Sequence, residues 1–394
     1  MSTPRRILVV GASLAGLRAA EALRSEGFDG ELTVLGAEPH MPYDRPPLSK
    51  EVLTGSMGRA DIDFRIPEDL NAEWLLGDAA TGLDMERRVV TSVSGRQLGF
   101  DGLVIATGSA PRRLPLLEPG SLEGIVELRT VEDSLALQAT LERKPRVVLV
   151  GCGFIGVEVA SSARELGCEV DIVSLDPPLI VAGKLFSDVC SEMLLDHGVR
   201  LHLGRQVTEV HGDGSVEAVA LDDGARLAAD VVVVAVGAYP VTDWLEGSGV
   251  PLDNGVVCDA SCAVQGAPGV VAAGDVARWT NPLFGDAPMR IEHWTNAAEQ
   301  AGAAARTLLH GSGRHTAFSS VPSFWSDHLG TRLQSVGLPL LADRLEVVDG
   351  SVQERRFVAV GYRGEEIVGA TTYGMIRGLL RYRVQLGQRE PVAG

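Results

Sequence analysis

Apolar residues collect in short unbroken runs, and most of these runs end in glycine. RILVVG, LVIATG, RVVLVG, VVVVAVG and VVAAG end at Gly11, Gly108, Gly151, Gly237 and Gly274. Runs this short, with no polar alternation, predict strands buried on both faces, as in parallel sheets. Two runs lead through a glycine turn into helical periodicity. After Gly11, Leu14, Leu17 and Leu23 recur at helical spacing and Gly27 closes the segment. RVVLVGCGFIGVEVASSARELG, residues 146–167, repeats the strand–turn–helix pattern. Toward the C-terminus the pattern changes. RFVAVGYRGEEIVGATTY reads as strands, and MIRGLLRYRVQL as a helix with Leu379, Leu380 and Val384 toward the core. On that helix Arg377 and Arg381 share a face.

A chain of 394 residues divides into more than one core. The expected division is a discontinuous first domain of residues 1–112 and 245–320, a second of 113–244, and a C-terminal domain of 321–394. A formal charge of −17 excludes nucleic acid and anionic membrane surfaces as partners. The N-terminal apolar run breaks at Gly11 without a cleavage site, so a buried strand is expected there, not a signal peptide. No apolar stretch reaches membrane-spanning length. Five scattered cysteines suggest reduced thiols in a cytoplasmic protein, and the Cys258-x-x-x-Cys262 spacing reads as small residues flanking strands. The histidines show no paired ligand spacing, so no metal site is expected.

The two glycine turns carry the chemistry. Gly151, Gly153 and Gly156 form a complete dinucleotide fingerprint, while Gly11, Ser13 and Gly16 form one with serine at the second place. That place normally takes glycine so that the backbone can approach a pyrophosphate. Serine is the smallest polar replacement, and its hydroxyl suits a phosphate oxygen. In each copy the free amides at the helix start provide an anion site. Two Rossmann-like domains binding two dinucleotides are therefore expected. An acidic residue should follow the second strand of each unit to accept from a ribose hydroxyl. Glu38 meets this in the first unit. The second has Ser174, with Asp176 two residues on, and no arginine follows closely to clasp a 2′-phosphate. This favours NADH over NADPH. The other glycine-ended strands, with Ala106, Thr107 and Gly108, Gly237, and Gly274, bring chain crossings close to a cofactor.

Together the tandem fingerprints and the AAGD segment resemble the two-dinucleotide flavoprotein reductases, with a glutathione-reductase-like α/β architecture and a C-terminal α+β domain. PYDRPPLSK (42–50), GFIGVE (153–158), LRTVEDS (128–134), RIEHWTNAAEQA (290–301) and PSFWSDHLGTRLQSVG (322–337) are similar to the ferredoxin reductases of bacterial oxygenases. The likeness spans nearly the whole chain. It implies electron flow from NAD(P)H through FAD, one electron at a time, to an iron–sulfur ferredoxin. Disulfide-reducing relatives carry redox cysteines after the second strand, whereas Met41–Glu51 holds none. There, Pro46 and Pro47 predict a stiff, extended loop.

By the same resemblance Lys50 lies beside the flavin ring and pairs with Glu158. Arg45, Leu14, Ala15, Ala80 and Arg129 face FAD, Asp275 accepts from its ribityl chain, and His293 and Trp294 border the ring. Gly153, Phe154, Ile155, Gly156 and Gly237 match the nicotinamide-cofactor positions. Trp325 lines the exit toward the partner or is a core tryptophan. Monodehydroascorbate reductases and apoptosis-inducing flavoproteins are the alternatives. Residues 351–394 hold seven arginines against four glutamates, a basic patch suited to an acidic ferredoxin.

Overall fold

A computed structural model describes residues 4–311, 317–375 and 378–388. Among the described residues there are six α-helices: α1 (Leu14–Ser25), α2 (Val131–Leu141), α3 (Phe154–Glu165), α4 (Lys184–Asp196), α5 (Trp294–His310) and α6 (Leu380–Gly387). The first sheet is parallel throughout, in the order Val270–Ala272, Gly102–Ile105, Arg6–Val10, Glu31–Leu35, Glu73–Leu75. Arg6–Val10 is central, and Ile7 to Val10 are all buried, which accounts for the unbroken apolar run. Helices α1 and α5 pack together through small buried residues, among them Ala19, Ala301 and Ala304.

The second sheet repeats this plan, in the order Arg200–Leu203, Glu169–Ser174, Arg146–Val150, Val231–Val234, Ile125–Val126, again all parallel. In both sheets the strand leading into the glycine turn is central, so the turn opens at the carboxyl edge, where open α/β sheets bind ligands. The chain passes between the two units twice, and the crossings pair with each other. Ser109–Pro111 and Ala238–Pro240 form a short antiparallel ribbon. Thr107 Oγ1 donates to Val241 O at 2.7 Å, and Val241 N donates to Gly108 O at 3.0 Å. Arg112 N donates to Gly237 O at 2.9 Å, so Thr107, Gly108 and Gly237 all sit at the crossing.

The C-terminal sheet is antiparallel, in the order Ser323–His328, Thr331–Gly337, Glu366–Tyr373, Arg356–Arg363, Arg344–Ser351. Alternate residues face opposite layers. Phe357, Ala359 and Tyr373 pack toward the second unit, with Phe186 of α4 stacked on Phe357 at 5.6 Å. Val358, Val360 and Ala370 pack under α6.

Helix α6 corrects the expectation for this segment. It begins at Leu380, after Gly378 (φ +151°), and buries Leu379, Tyr382 and Leu386. Leu380 and Val384, expected in the core, are 76% and 50% exposed. The spacing 379–382–386 fixes the buried stripe, and Leu380 and Val384 fall outside it. Arg377 lies outside the described residues, and so does Arg389.

Candidate dinucleotide and hydride-transfer site

The two glycine turns are built by close backbone approach. Gly11 has φ +118°, and a Cβ there would lie 2.0 Å from Ala106 O. One on Gly16 would lie 1.8 Å from Gly11 O. In the second turn the matching distances are 2.4 Å from Gly151 to Ala235 O and 2.4 Å from Gly156 to Gly151 O. The first and third glycines are thus required by chain packing. Gly153 differs, since a Cβ there would meet no protein atom within 4 Å. It leaves room for an incoming group. Ser13, in the equivalent place, caps α1 with extended backbone but makes no capping bond, and its Oγ accepts from Arg45 Nε at 3.3 Å.

Neither α1 nor α3 has a side-chain cap or an acid in its first turn. By contrast, α2 carries a full capping box of Thr130 and Asp133. The first amides of α1 (Leu14, Ala15, Gly16) and of α3 (Phe154, Ile155, Gly156) therefore remain for an anionic ligand. These residues fit the pyrophosphates of FAD and of a nicotinamide dinucleotide.

Around the first turn, Glu38 pairs with Arg45 and accepts from Tyr43 Oη at 2.5 Å. Arg45 Nη1 also donates to Arg129 O at 2.8 Å. Asp275 accepts from Ser109 Oγ at 2.9 Å, with Arg129 Nη2 at 3.8 Å. Burial and the neighbouring Arg45 charge lower the Arg129 pKa. Ala80 opens the strand Ala80–Asp84, and Gly274 (φ +79°) packs against Ala15 Cβ. Trp294 Nε1 donates to Asp44 Oδ1 at 2.7 Å, and burial raises the Asp44 pKa. His293 Nδ1 is buried without a partner among the described residues. Burial pushes its imidazole down to about 4, with Asp275 opposing, so it is neutral at pH 7. Phe324 lies 4.9 Å from both Phe154 and His293, and partly buried Trp325 meets Trp294 edge-on at 6.3 Å.

Pro46–Ser49 forms a 3₁₀ turn and not the extended loop that two prolines suggest. Proline's fixed φ also suits the first turn of a helix, where its missing N–H is not needed. The turn delivers Lys50 to α3, where Nζ lies 3.1 Å from Glu158 Oε2. Both side chains are largely buried, at 12% and 5% exposure. Ser49 Oγ donates to the same oxygen at 2.5 Å, and Ser326 Oγ to Oε1 at 2.7 Å. Ser49 and Ser326 were not foreseen as site residues, since only the fold brings them to α3.

At the second turn, Ser174 ends its strand and is partly buried, while Asp176 is exposed. The strand pairing aligns Ser174 with Leu203, and Arg205 N donates to Ser174 O at 3.3 Å. The Arg205 side chain pairs with Asp223 at 2.8 Å. Arg205 thus meets Ser174 through its backbone, two residues beyond the neighbouring strand, while its guanidinium is engaged with Asp223.

The pyridine nucleotide-disulphide oxidoreductase family matches residues 5–301, and the reductase C-terminal family matches residues 323–393. The ferredoxin reductase component of a chlorobenzene dioxygenase from Cupriavidus sp. (strain PS12) is 38% identical, over 84% of this chain and 80% of that protein. Rhodocoxin reductase of Rhodococcus erythropolis is 33% identical, over 98% of this chain and 90% of that protein. Among solved structures, the covalent putidaredoxin reductase–putidaredoxin complex matches with a TM-score of 0.92 at 30% identity, covering 98% of this chain and 94% of that one.

Proposed function

From the premise that this chain belongs to the pyridine nucleotide-disulphide oxidoreductase family, with its reductase C-terminal domain, we propose that it is an FAD-dependent NAD(P)H:ferredoxin reductase serving an oxygenase. The observation that carries this reading is the buried Lys50–Glu158 pair in a stretch, Met41–Glu51, without cysteine. All five cysteines are buried, and Cys152 is the one in a glycine turn. Electrons thus have no thiol to reach from this stretch and leave to an external acceptor.

When bound, FAD would supply hydride acceptance from NAD(P)H and one-electron release to an iron–sulfur centre, chemistry that belongs to the cofactors. The chain binds, orients and screens. Residues 1–112 with 245–320 would hold FAD through the α1 amides, Arg45 and Asp275. Residues 113–244 would hold the nicotinamide dinucleotide through the α3 amides. Lys50 offers a fixed cation to negative charge gained on reduction. Phe154, Phe324 and neutral His293 pack as a ring cluster beside α3's first turn. Residues 321–394 present arginines to the partner, including exposed Arg381. Arg383 on the same helix is tied to Glu299 at 3.0 Å. No helix among the described residues is long and apolar enough to cross a membrane, and a cytoplasmic location is part of this proposal.

Steady-state assays with a [2Fe–2S] ferredoxin and with ascorbyl radical test the assignment. The expected result is NAD(P)H-dependent reduction saturating in ferredoxin, with kcat/KM well above that for ascorbyl radical. The opposite order would assign the chain to a small-acceptor reductase.

A further inference from the structure

Glu158 is gripped from three parts of the chain at once. Ser49 and Lys50 come from the turn after the second strand, Glu158 itself from α3, and Ser326 from the C-terminal sheet. A second bond fastens the turn to the helix, since Ser162 Oγ of α3 donates to Ser49 O at 2.7 Å. The carboxylate is divided unequally. Oε2 receives both Ser49 and Lys50, whereas among the described residues Ser326 is the one donor to Oε1. Glu158 is 4% exposed, so water is poorly placed to replace a lost donor.

Ser326 is itself fully buried, on a strand fixed by antiparallel pairing with Leu333. Its neighbours on the same face are Phe324 and His328. Phe324 packs on Phe154 at the start of α3. His328 is 1% exposed, near enough to Lys50 to feel its charge, with neither ring nitrogen partnered among the described residues. Burial first, and the Lys50 charge also, push its imidazole down to about 4, with Asp327 opposing. It is therefore neutral at pH 7 and sets no second cation against Lys50.

We infer that Ser326 is a positioning residue: its hydroxyl holds the Glu158 carboxylate and, through it, the Lys50 ammonium, so that the C-terminal domain completes the site where NAD(P)H reduces the flavin. Without that hydroxyl, Oε1 is a buried anionic oxygen lacking a donor. The carboxylate then turns to share Lys50 between both oxygens, which draws the cation to itself and neutralises it more fully. Less positive field is left for the flavin. The inference rests on the function proposed above.

The test uses the full-length, FAD-loaded protein with Ser326→Ala and Ser326→Thr. In Ser326→Ala the limiting rate of flavin reduction in stopped flow should fall about tenfold, the loss of one bond to a charged group. The flavin midpoint potential, set by dye equilibration without nicotinamide, should move negative. Ser326→Thr, which keeps the hydroxyl, should restore both. Flavin content and Tm show whether a loss merely follows unfolding. A wild-type rate and potential in Ser326→Ala would overturn the inference. So would a threonine variant with wild-type Tm that restores neither. If neither nicotinamide reduces the wild-type flavin, the function proposed above fails, while the potential still decides the role of Ser326.

Discussion

Exchanging Lys50 for methionine should leave FAD bound and slow its reduction by NADH about ten- to a hundred-fold, the effect of withdrawing a charge interaction of roughly 1–3 kcal/mol. Methionine keeps much of the length and packing of lysine but carries no charge. The ammonium contacts Glu158 at 3.1 Å and is 12% exposed, so solvent screens it weakly. In the variant Glu158 keeps Ser49 and Ser326 but loses its counter-ion, so stability falls as well. Adding Glu158→Gln removes the buried charge and should recover stability without recovering the rate. That split separates a catalytic cation from a structural one. Stopped-flow reduction of Lys50→Met at the wild-type rate would contradict the role.

The two glycine turns should fail separately when a single methyl is added to each. Gly16→Ala places a Cβ 1.8 Å from Gly11 O, and Gly156→Ala places one 2.4 Å from Gly151 O. Both obstacles are backbone atoms, so the helix must move off its strand. Overpacking of this kind costs about 1–3 kcal/mol, which at a binding loop is roughly ten- to a hundred-fold in affinity. The first variant should purify with much of its flavin missing. The second should stay yellow, with the dissociation constant for the nicotinamide dinucleotide raised by that factor. Flavin content by absorbance and nicotinamide titration of the oxidised protein read the two outcomes. Loss of flavin in Gly156→Ala would mean that the two turns do not bind separate ligands.

What the sequence revealed followed the range over which each signal acts. The runs ending at Gly11 and Gly151 gave strand, turn and helix directly, because burial on both faces writes an unbroken apolar string. Residues joined only by the fold were not legible from spacing. Ser326 reaches Glu158 through the packing of a sheet on a helix, and the Arg205 backbone reaches Ser174 from the turn after the neighbouring strand. Lys50 and Glu158 were paired by resemblance alone, since nothing local links a 3₁₀ turn to a helix more than a hundred residues away. Local reasoning failed where two geometries satisfy the same residues. Pro46 and Pro47 suit an extended loop and a helical first turn equally well, and the fold takes the second. In α6 the apolar residues allow more than one buried stripe, and packing of Tyr382 and Leu386 against the sheet selects it.

The most direct measurement is an anaerobic titration of NAD(P)H into a catalytic amount of this protein with excess [2Fe–2S] ferredoxin, followed by the ferredoxin absorbance. Two ferredoxins should be reduced for each NAD(P)H, because a hydride carries an electron pair and the iron–sulfur centre accepts electrons singly. NAD(P)H oxidation with ferricyanide, but none with ferredoxin, would contradict the account.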